Sequence, residues 1–214
     1  MQPNEGQSTQ QSDNTPDRAR THLSHPHSFI CMQTDDCECS PCFPSSGRRV
    51  RFMLDAMKAA GCPVDGDQFV QCDSCEPLIS GAMYQKPNTA HIGVLMCQNR
   101  LQGKSQDYYD TVLAHELVHA FDYCRAHTDF NSLPHHACTE VRAANLSGEC
   151  TWLREAKRGI LRLRGHHEEC VRRRAVISVL GNPGVRTSEE AKEAVGKVFD
   201  RCYRDVQPHG SIPW

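Results

Sequence analysis

The stretch QDYYDTVLAHELVHAFDYC, residues 106–124, places Val112, Leu113, Leu117, Val118 and Phe121 in a run of three- and four-residue intervals. That spacing predicts a helix with apolar surface on more than one face, as expected of a helix near the centre of a domain. Inside it lies H-E-L-V-H, His115 to His119. At about 3.6 residues per turn the two imidazoles share one face, and Glu116 is rotated about 100° from His115. Two histidines so placed can hold one zinc ion, while the offset carboxylate can take a proton from water without competing as a ligand. Core histidines satisfied by backbone partners would explain neither the pairing nor the acid between them.

A hydrolytic zinc has three protein ligands and one open position. Glu140, on the next predicted helix, is the first candidate for the third ligand, because a turn between two helices can bring its carboxylate against the pair. Asp122 lies one turn beyond His119 on the same helix, where three ligands would strain a tetrahedral site, so it reads instead as a group orienting an imidazole N–H. His135 and His136 remain alternatives as ligands.

Upstream of this helix, Phe69 to Gln71 and His91 to Cys97 read as short strands, with Pro77, Gly81 and Pro87 between them. Phe52 to Met57 fit a short helix that Gly61 and Pro63 end. Downstream, helices are expected from about Ala137 to Leu146 and at 150–164, 166–180 and 188–203. The expected architecture is an α+β, zincin-like domain over 48–214: a small sheet on the active-site helix, then a helical half stapled by disulfides. An extended peptide would lie along an edge strand, with 91–97 the expected one.

Residues 1–47 are rich in Gln, Ser, Pro and His and lack periodicity, so they are expected to form a disordered polar tail. They carry neither an apolar signal core nor an Arg-rich amphipathic face. A net charge of -2 over 214 residues gives no global attraction to nucleic acid or anionic membrane. Locally, Arg154, Lys157, Arg158, Arg162, Arg164, Arg172, Arg173 and Arg174 stand against Glu155, Glu168 and Glu169, a surplus of five positive charges. This is a solvated helical face or a contact for anionic lipid. No aromatic set accompanies it, so no nucleic acid is expected.

Thirteen cysteines, spread from Cys31 to Cys202, imply an oxidising compartment or structural metal. Cys39-x-x-Cys42 with Cys72-x-x-Cys75 could form a second, structural zinc site. A binding or assembly module in which proteolysis is secondary is the alternative functional reading.

The strings HELVHAFDYCRAH (115–127), HHACTEVRAANLSGEC (135–150), CVRRRAVISVL (170–180) and VFDRCYRD (198–205) together resemble the mitochondrial inner-membrane metallopeptidase family that supports F-type ATP synthase assembly. MLDAMKAAGC (53–62), CDSC (72–75) and VLMCQN (94–99) extend the resemblance over about 48 to 214, while the ending QPHGSIPW departs from it. The resemblance implies a zinc protease peripheral on the intermembrane-space side of the inner membrane. It also implies action on the precursor of ATP synthase subunit a and on lipid-transfer proteins, with His115 and His119 as zinc ligands and Glu116 as the catalytic acid. Family members are oxidised in that space, and Cys42, Cys62, Cys72, Cys75, Cys97, Cys124, Cys138, Cys150, Cys170 and Cys202 would suffice for five bridges.

Overall fold

The computed structural model describes residues 47–62, 64, 69–75, 79–86, 91–126 and 128–213. The tail expected over 1–47, with Cys31, Cys37, Cys39 and Cys42, lies outside them except for Gly47. Helix α1 (Arg48–Ala59) leads into strands β1 (Val70–Asp73), β2 (Gly81–Gln85) and β3 (Ile92–Cys97). A single turn, α2 (Gln98–Leu101), precedes the long α3 (Gln106–Ala126). Then follow α4 (Leu133–Leu146), α5 (Trp152–Lys157), α6 (His166–Val179) and α7 (Ser188–Arg204).

The α+β arrangement expected from the sequence is present, with two corrections. In the sheet order β1-β3-β2, β3 pairs with β1 in parallel and with β2 in antiparallel fashion, so 91–97 is the central strand and not an edge. Its burial on both faces explains the continuous apolar run Ile92–Cys97. The helix expected over 150–164 ends at Lys157, because Gly159 takes a positive φ of 82° and Ile160 N–H turns back to Glu155 O at 2.9 Å.

Two apolar clusters share α4 as a common wall. On one side Ala143 and Leu146 join Val50, Met53 and Met57 of α1, Val94 and Met96 of β3, and Leu113, Leu117 and Val118 of α3. On the other, Ala137, Val141 and Ala144 meet Val171 and Ala175 of α6 and Val195 and Phe199 of α7. The small residues along α4 let three helices approach it closely. Between the two apolar stripes α4 carries Thr139, Glu140 and Arg142, all buried.

Arg142, 1% exposed, is the largest fully buried side chain. Its Nε donates to both Asp122 oxygens at 2.9 Å, Nη1 reaches Asp205 Oδ1 at 2.6 Å, and Nη2 donates to Gln207 O at 2.5 Å. Arg125 completes the network by donating to Asp122 and Asp205. The segment Asp205–Gln207 is thereby tied to α3 and α4 by charged hydrogen bonds, beside the apolar contact of Val206 with the core.

Four disulfides staple these parts: Cys62–Cys124, Cys75–Cys97, Cys138–Cys202 and Cys150–Cys170. They account for eight of the ten cysteines counted above, and Cys42 lies outside the described residues. The bridge from Cys75 to Cys97 removes the four-thiolate zinc site expected as an alternative. Cys62–Cys124 and Cys138–Cys202 close loops of 62 and 64 residues, the two longest. With each bridge typically contributing ~2–4 kcal/mol, strong reductant should lower the melting temperature by tens of degrees or prevent refolding. Calorimetry with and without reductant measures this, and an unchanged transition would remove the bridges from the account of stability.

Candidate metal centre

His115 and His119 lie one turn apart on α3, and their rings meet edge to face with centroids 4.8 Å apart. The turn after α3 and the packing of α4 bring Glu140 up to them. One ligand atom from each of His115, His119 and Glu140 falls within 4.8 Å of the others. His115 Nε2 stands 3.3 Å from Glu140 Oε2, and His119 Nε2 stands 3.5 Å from Glu140 Oε1. Two donors on a tetrahedral zinc, each at about 2.0–2.1 Å, are about 3.3–3.4 Å apart, so these separations fit such an ion. Among the described residues Glu140 Oε2 is buried with no partner nearer than His115 Nε2, an acceptor available to a cation.

The other nitrogen of each imidazole is engaged. His115 Nδ1 lies 3.2 Å from Glu149 Oε1, and Arg174 Nε donates to Glu149 Oε2 at 2.7 Å. His119 Nδ1 lies 2.9 Å from Thr139 Oγ1, which itself donates to Asp122 Oδ2 at 2.9 Å. Asp122 therefore stays off the histidine pair and reaches His119 through the Thr139 hydroxyl. Of the alternative ligands, His136 Nε2 sits 3.2 Å from Glu140 Oε1, and its Nδ1 is 2.9 Å from Asn182 Nδ2, so it flanks the carboxylate. His135 points elsewhere, with Nδ1 accepting from Asp129 N–H at 3.3 Å.

Glu116 is held on the sheet side, where its Oε2 accepts from Met83 N–H of β2 at 2.9 Å. Gly81 makes this approach possible: a Cβ there would stand 3.1 Å from both Glu116 Cγ and Val112 Cγ1. The glycine that reads as a break in the sequence is thus the first residue of a strand pressed against the site.

Burial and mutual charge set the protonation of the metal-free cluster. Burial pushes the Glu116 carboxyl up to about 7, against the opposing charge of His115. Burial takes His119 down to about 4. For His115 burial acts downward as well, but Glu140 and Glu149 outweigh it and hold the ring well above its ordinary value. Burial disfavours the charged form of Glu140, and His119, His115 and His136 overcome this and keep it well below the usual carboxylate range. For Glu149, burial is likewise outweighed, by His115 and Arg174, leaving its carboxyl at about 2.

The Peptidase M76 family model matches residues 36–210. The chain belongs to the peptidase M76 family. Among relatives, the mitochondrial inner membrane protease ATP23 homolog of Xenopus laevis is 43% identical over 164 residues, covering 76% of this chain and 67% of that protein. The Homo sapiens protein of the same name is 42% identical over 165 residues, covering 77% and 64%. The mitochondrial inner membrane protease ATP23 of Saccharomyces cerevisiae is 40% identical over 170 residues, covering 76% and 72%. The match thus spans about two thirds of the length of these M76 relatives. No solved structure matches the chain.

Of the residues singled out in sequence, the structure gathers His115, His119 and Glu140 into one cluster, with Glu116 beside them and Asp122 one hydroxyl away. Sequence reasoning missed Glu149, Thr139 and Arg174. Glu149 follows the end of α4 at a Gly148 with φ 90°, outside any helical periodicity, and only its position before the bridged Cys150 set it apart.

Glu149 yields a pH test on chelated protein. Its carboxyl falls from 4.5 to about 2 on folding, so its contribution is fully present above pH 4.5 and is lost as pH drops toward 2. Glu149→Gln should lower stability near neutrality by roughly 1–3 kcal/mol, as expected for losing charged hydrogen bonds. It should also flatten the acid limb between pH 4.5 and 2. Thermal unfolding of both proteins across pH checks this, and parallel acid limbs would refute the assignment.

Proposed function

We propose that this M76 member is a zinc-dependent endopeptidase in which His115, His119 and Glu140 hold the metal and Glu116 is the general base. The observation that carries the reading is the convergence of three ligand atoms within 4.8 Å beside a buried acid. When bound there, zinc supplies Lewis-acid polarisation of the scissile carbonyl and acidification of water. Glu116, buried beside the cluster and steered by Met83 N–H, would accept the proton of the attacking water and return it to the leaving amine. Glu149 and Thr139 fix the imidazole orientations so that Nε2 of both rings faces Glu140.

Strand β2 is the edge of the sheet beside Glu116 among the described residues, so an extended substrate would add along β2 and not along 91–97. An edge strand, an H-E-x-x-H helix and a third ligand from the next helix support a zincin-like reading of the fold. We place the protein in the mitochondrion, peripheral on the intermembrane-space side of the inner membrane. The names of its relatives and the disulfides support this, and no helix among the described residues is long and apolar enough to cross a membrane. By the resemblance already described, its substrates would be the precursor of ATP synthase subunit a and lipid-transfer proteins of that space, and its role would extend to ATP synthase assembly.

Glu116→Gln should retain zinc and fold while losing peptide hydrolysis by several orders of magnitude, because only the proton acceptor is removed. Hydrolysis of membrane-inserted precursors by the purified variant and by wild type is the measurement. Wild-type rates in the variant would end the proposed mechanism.

Glu140→Ala should nearly abolish zinc binding, whereas Asp122→Asn, acting through Thr139, should weaken it by roughly 10–100-fold. Competitive zinc titration separates the two, and the reverse order would give the ligand role to Asp122.

A further inference from the structure

The basic stretch of the C-terminal half divides in space into two populations. Arg154, Arg158, Arg173 and Arg174 turn inward: Arg154 to Asp107 and Thr111, Arg158 and Arg173 to Glu155, and Arg174 to Glu149. Glu155, the only acid between Trp152 and Gly165, is buried at 0% exposure beneath the last turn of α5. Besides the Arg158 stem, that stretch shows to solvent Trp152, Leu153, Lys157, Leu161, Arg162, Leu163 and Arg164, with no acidic residue among them.

Leu161 and Leu163 are 70% and 72% exposed, more than any other large apolar side chains among the described residues, and Leu153 is 60% exposed. Residues 160–163 lie outside helix and strand. The segment is fastened at both ends: Ile160 N–H to Glu155 O at 2.9 Å, Arg162 to Glu169 at 2.7 Å, and His166 Nδ1 at 2.9 Å from Leu163 O. The nearby exposed acids are neutralised, Glu169 by Arg162 and Glu168 by Arg172. Lys157 and Arg164 form no ion pair among the described residues.

We infer that α5 and the 158–165 loop form a docking surface for an anionic phospholipid bilayer, with Leu153, Leu161 and Leu163 entering the acyl boundary and Lys157 and Arg164 meeting headgroup phosphates. Apolar side chains interleaved with cations, a tryptophan at the margin and no acid left without a counterion are what such an interface selects. A protein groove would account for the leucines but not for the exclusion of acids. The loop is joined to the metal centre at its base, since Arg158 Nη1 donates to Glu149 O at 2.8 Å and the Glu149 carboxylate holds His115. Docking through it sets the cluster beside the lipid surface, where membrane-proximal segments of a substrate would be presented. This deepens the peripheral-membrane reading and does not rest on hydrolysis, so the failure of one leaves the other standing.

Sedimentation of the oxidised full chain with phosphatidylcholine vesicles, with and without cardiolipin, is the test. Wild type should partition onto the cardiolipin vesicles and be released by high salt. Leu161→Ser/Leu163→Ser should reduce the partition coefficient by about a hundredfold, from the apolar area withdrawn. Lys157→Gln/Arg164→Gln should reduce it on the order of tenfold. Both variants should keep the wild-type melting temperature and zinc content, and a control pair on α7, Lys192→Gln/Arg201→Gln, should bind as wild type. Absence of wild-type binding, or equal binding by the leucine variant, would overturn the inference. So would self-association or capture of a protein partner that the leucine variant abolishes while vesicle binding is unaffected.

Discussion

The contact between Asp122 on α3 and Arg142 on α4 governs much of the rest of the molecule. Neither side chain can be buried alone, since an isolated ion in the interior costs several kcal/mol, and each supplies what the other lacks. Their pairing fixes the rotation of α4 about its axis relative to α3. With that rotation set, Thr139 and Glu140, preceding Arg142 on the same helix, must face His119 and His115. The apolar stripes on either side of them then have no choice but to face the sheet and the last two helices. A polar lock decides the register, and apolar packing supplies the bulk of the stabilisation around it.

Such a centre is expensive for a domain of this size. Glu116, His119, Asp122, Glu140, Arg142 and Glu149 are all at most 7% exposed. Their mutual pairing offsets much of the desolvation, but among the described residues Glu140 Oε2 has no partner nearer than the His115 imidazole at 3.3 Å. The disulfides are distributed accordingly: Cys62–Cys124 pins α3 from below, Cys138–Cys202 pins α4 to α7, and Cys150–Cys170 anchors the Glu149 turn against α6. Bridges flank the charged layer where additional apolar contact would have displaced it.

The centre of the fold was legible in sequence because a helix writes its own periodicity. His115, Glu116 and His119 are local to one turn, and Glu140 follows once a second helix is placed after a short turn. What could not be read was the order of strands: 91–97 looks like any short apolar strand, and its position between β1 and β2 depends on pairings that no local pattern records. Gly81 looked like punctuation because the need for a missing Cβ arises only when Glu116, 33 residues beyond Met83, arrives from a helix. Glu149 and Arg174 escaped for the same reason, since a carboxylate in a turn acquires meaning from the imidazole that packs on it. The excess of arginines was visible as a sum, but only burial separates counterions from surface charge.

The two histidines, equivalent in the motif, are made unequal by their partners. His115 meets a carboxylate at Nδ1, in addition to Glu140, and is held well above its ordinary pKa. His119 meets a hydroxyl, with the Asp122 charge one step further away, and burial takes it to about 4. If Asp122 contacted His119 directly, both rings would favour the charged form and repel a cation until two protons had left. Interposing Thr139 keeps one imidazole neutral, with a lone pair available, while still fixing its tautomer through a hydroxyl that donates to Asp122 and accepts from Nδ1. An aspartate one turn beyond a histidine pair therefore acts here as the anchor of a relay, and the intervening threonine decides how much of its charge the imidazole feels.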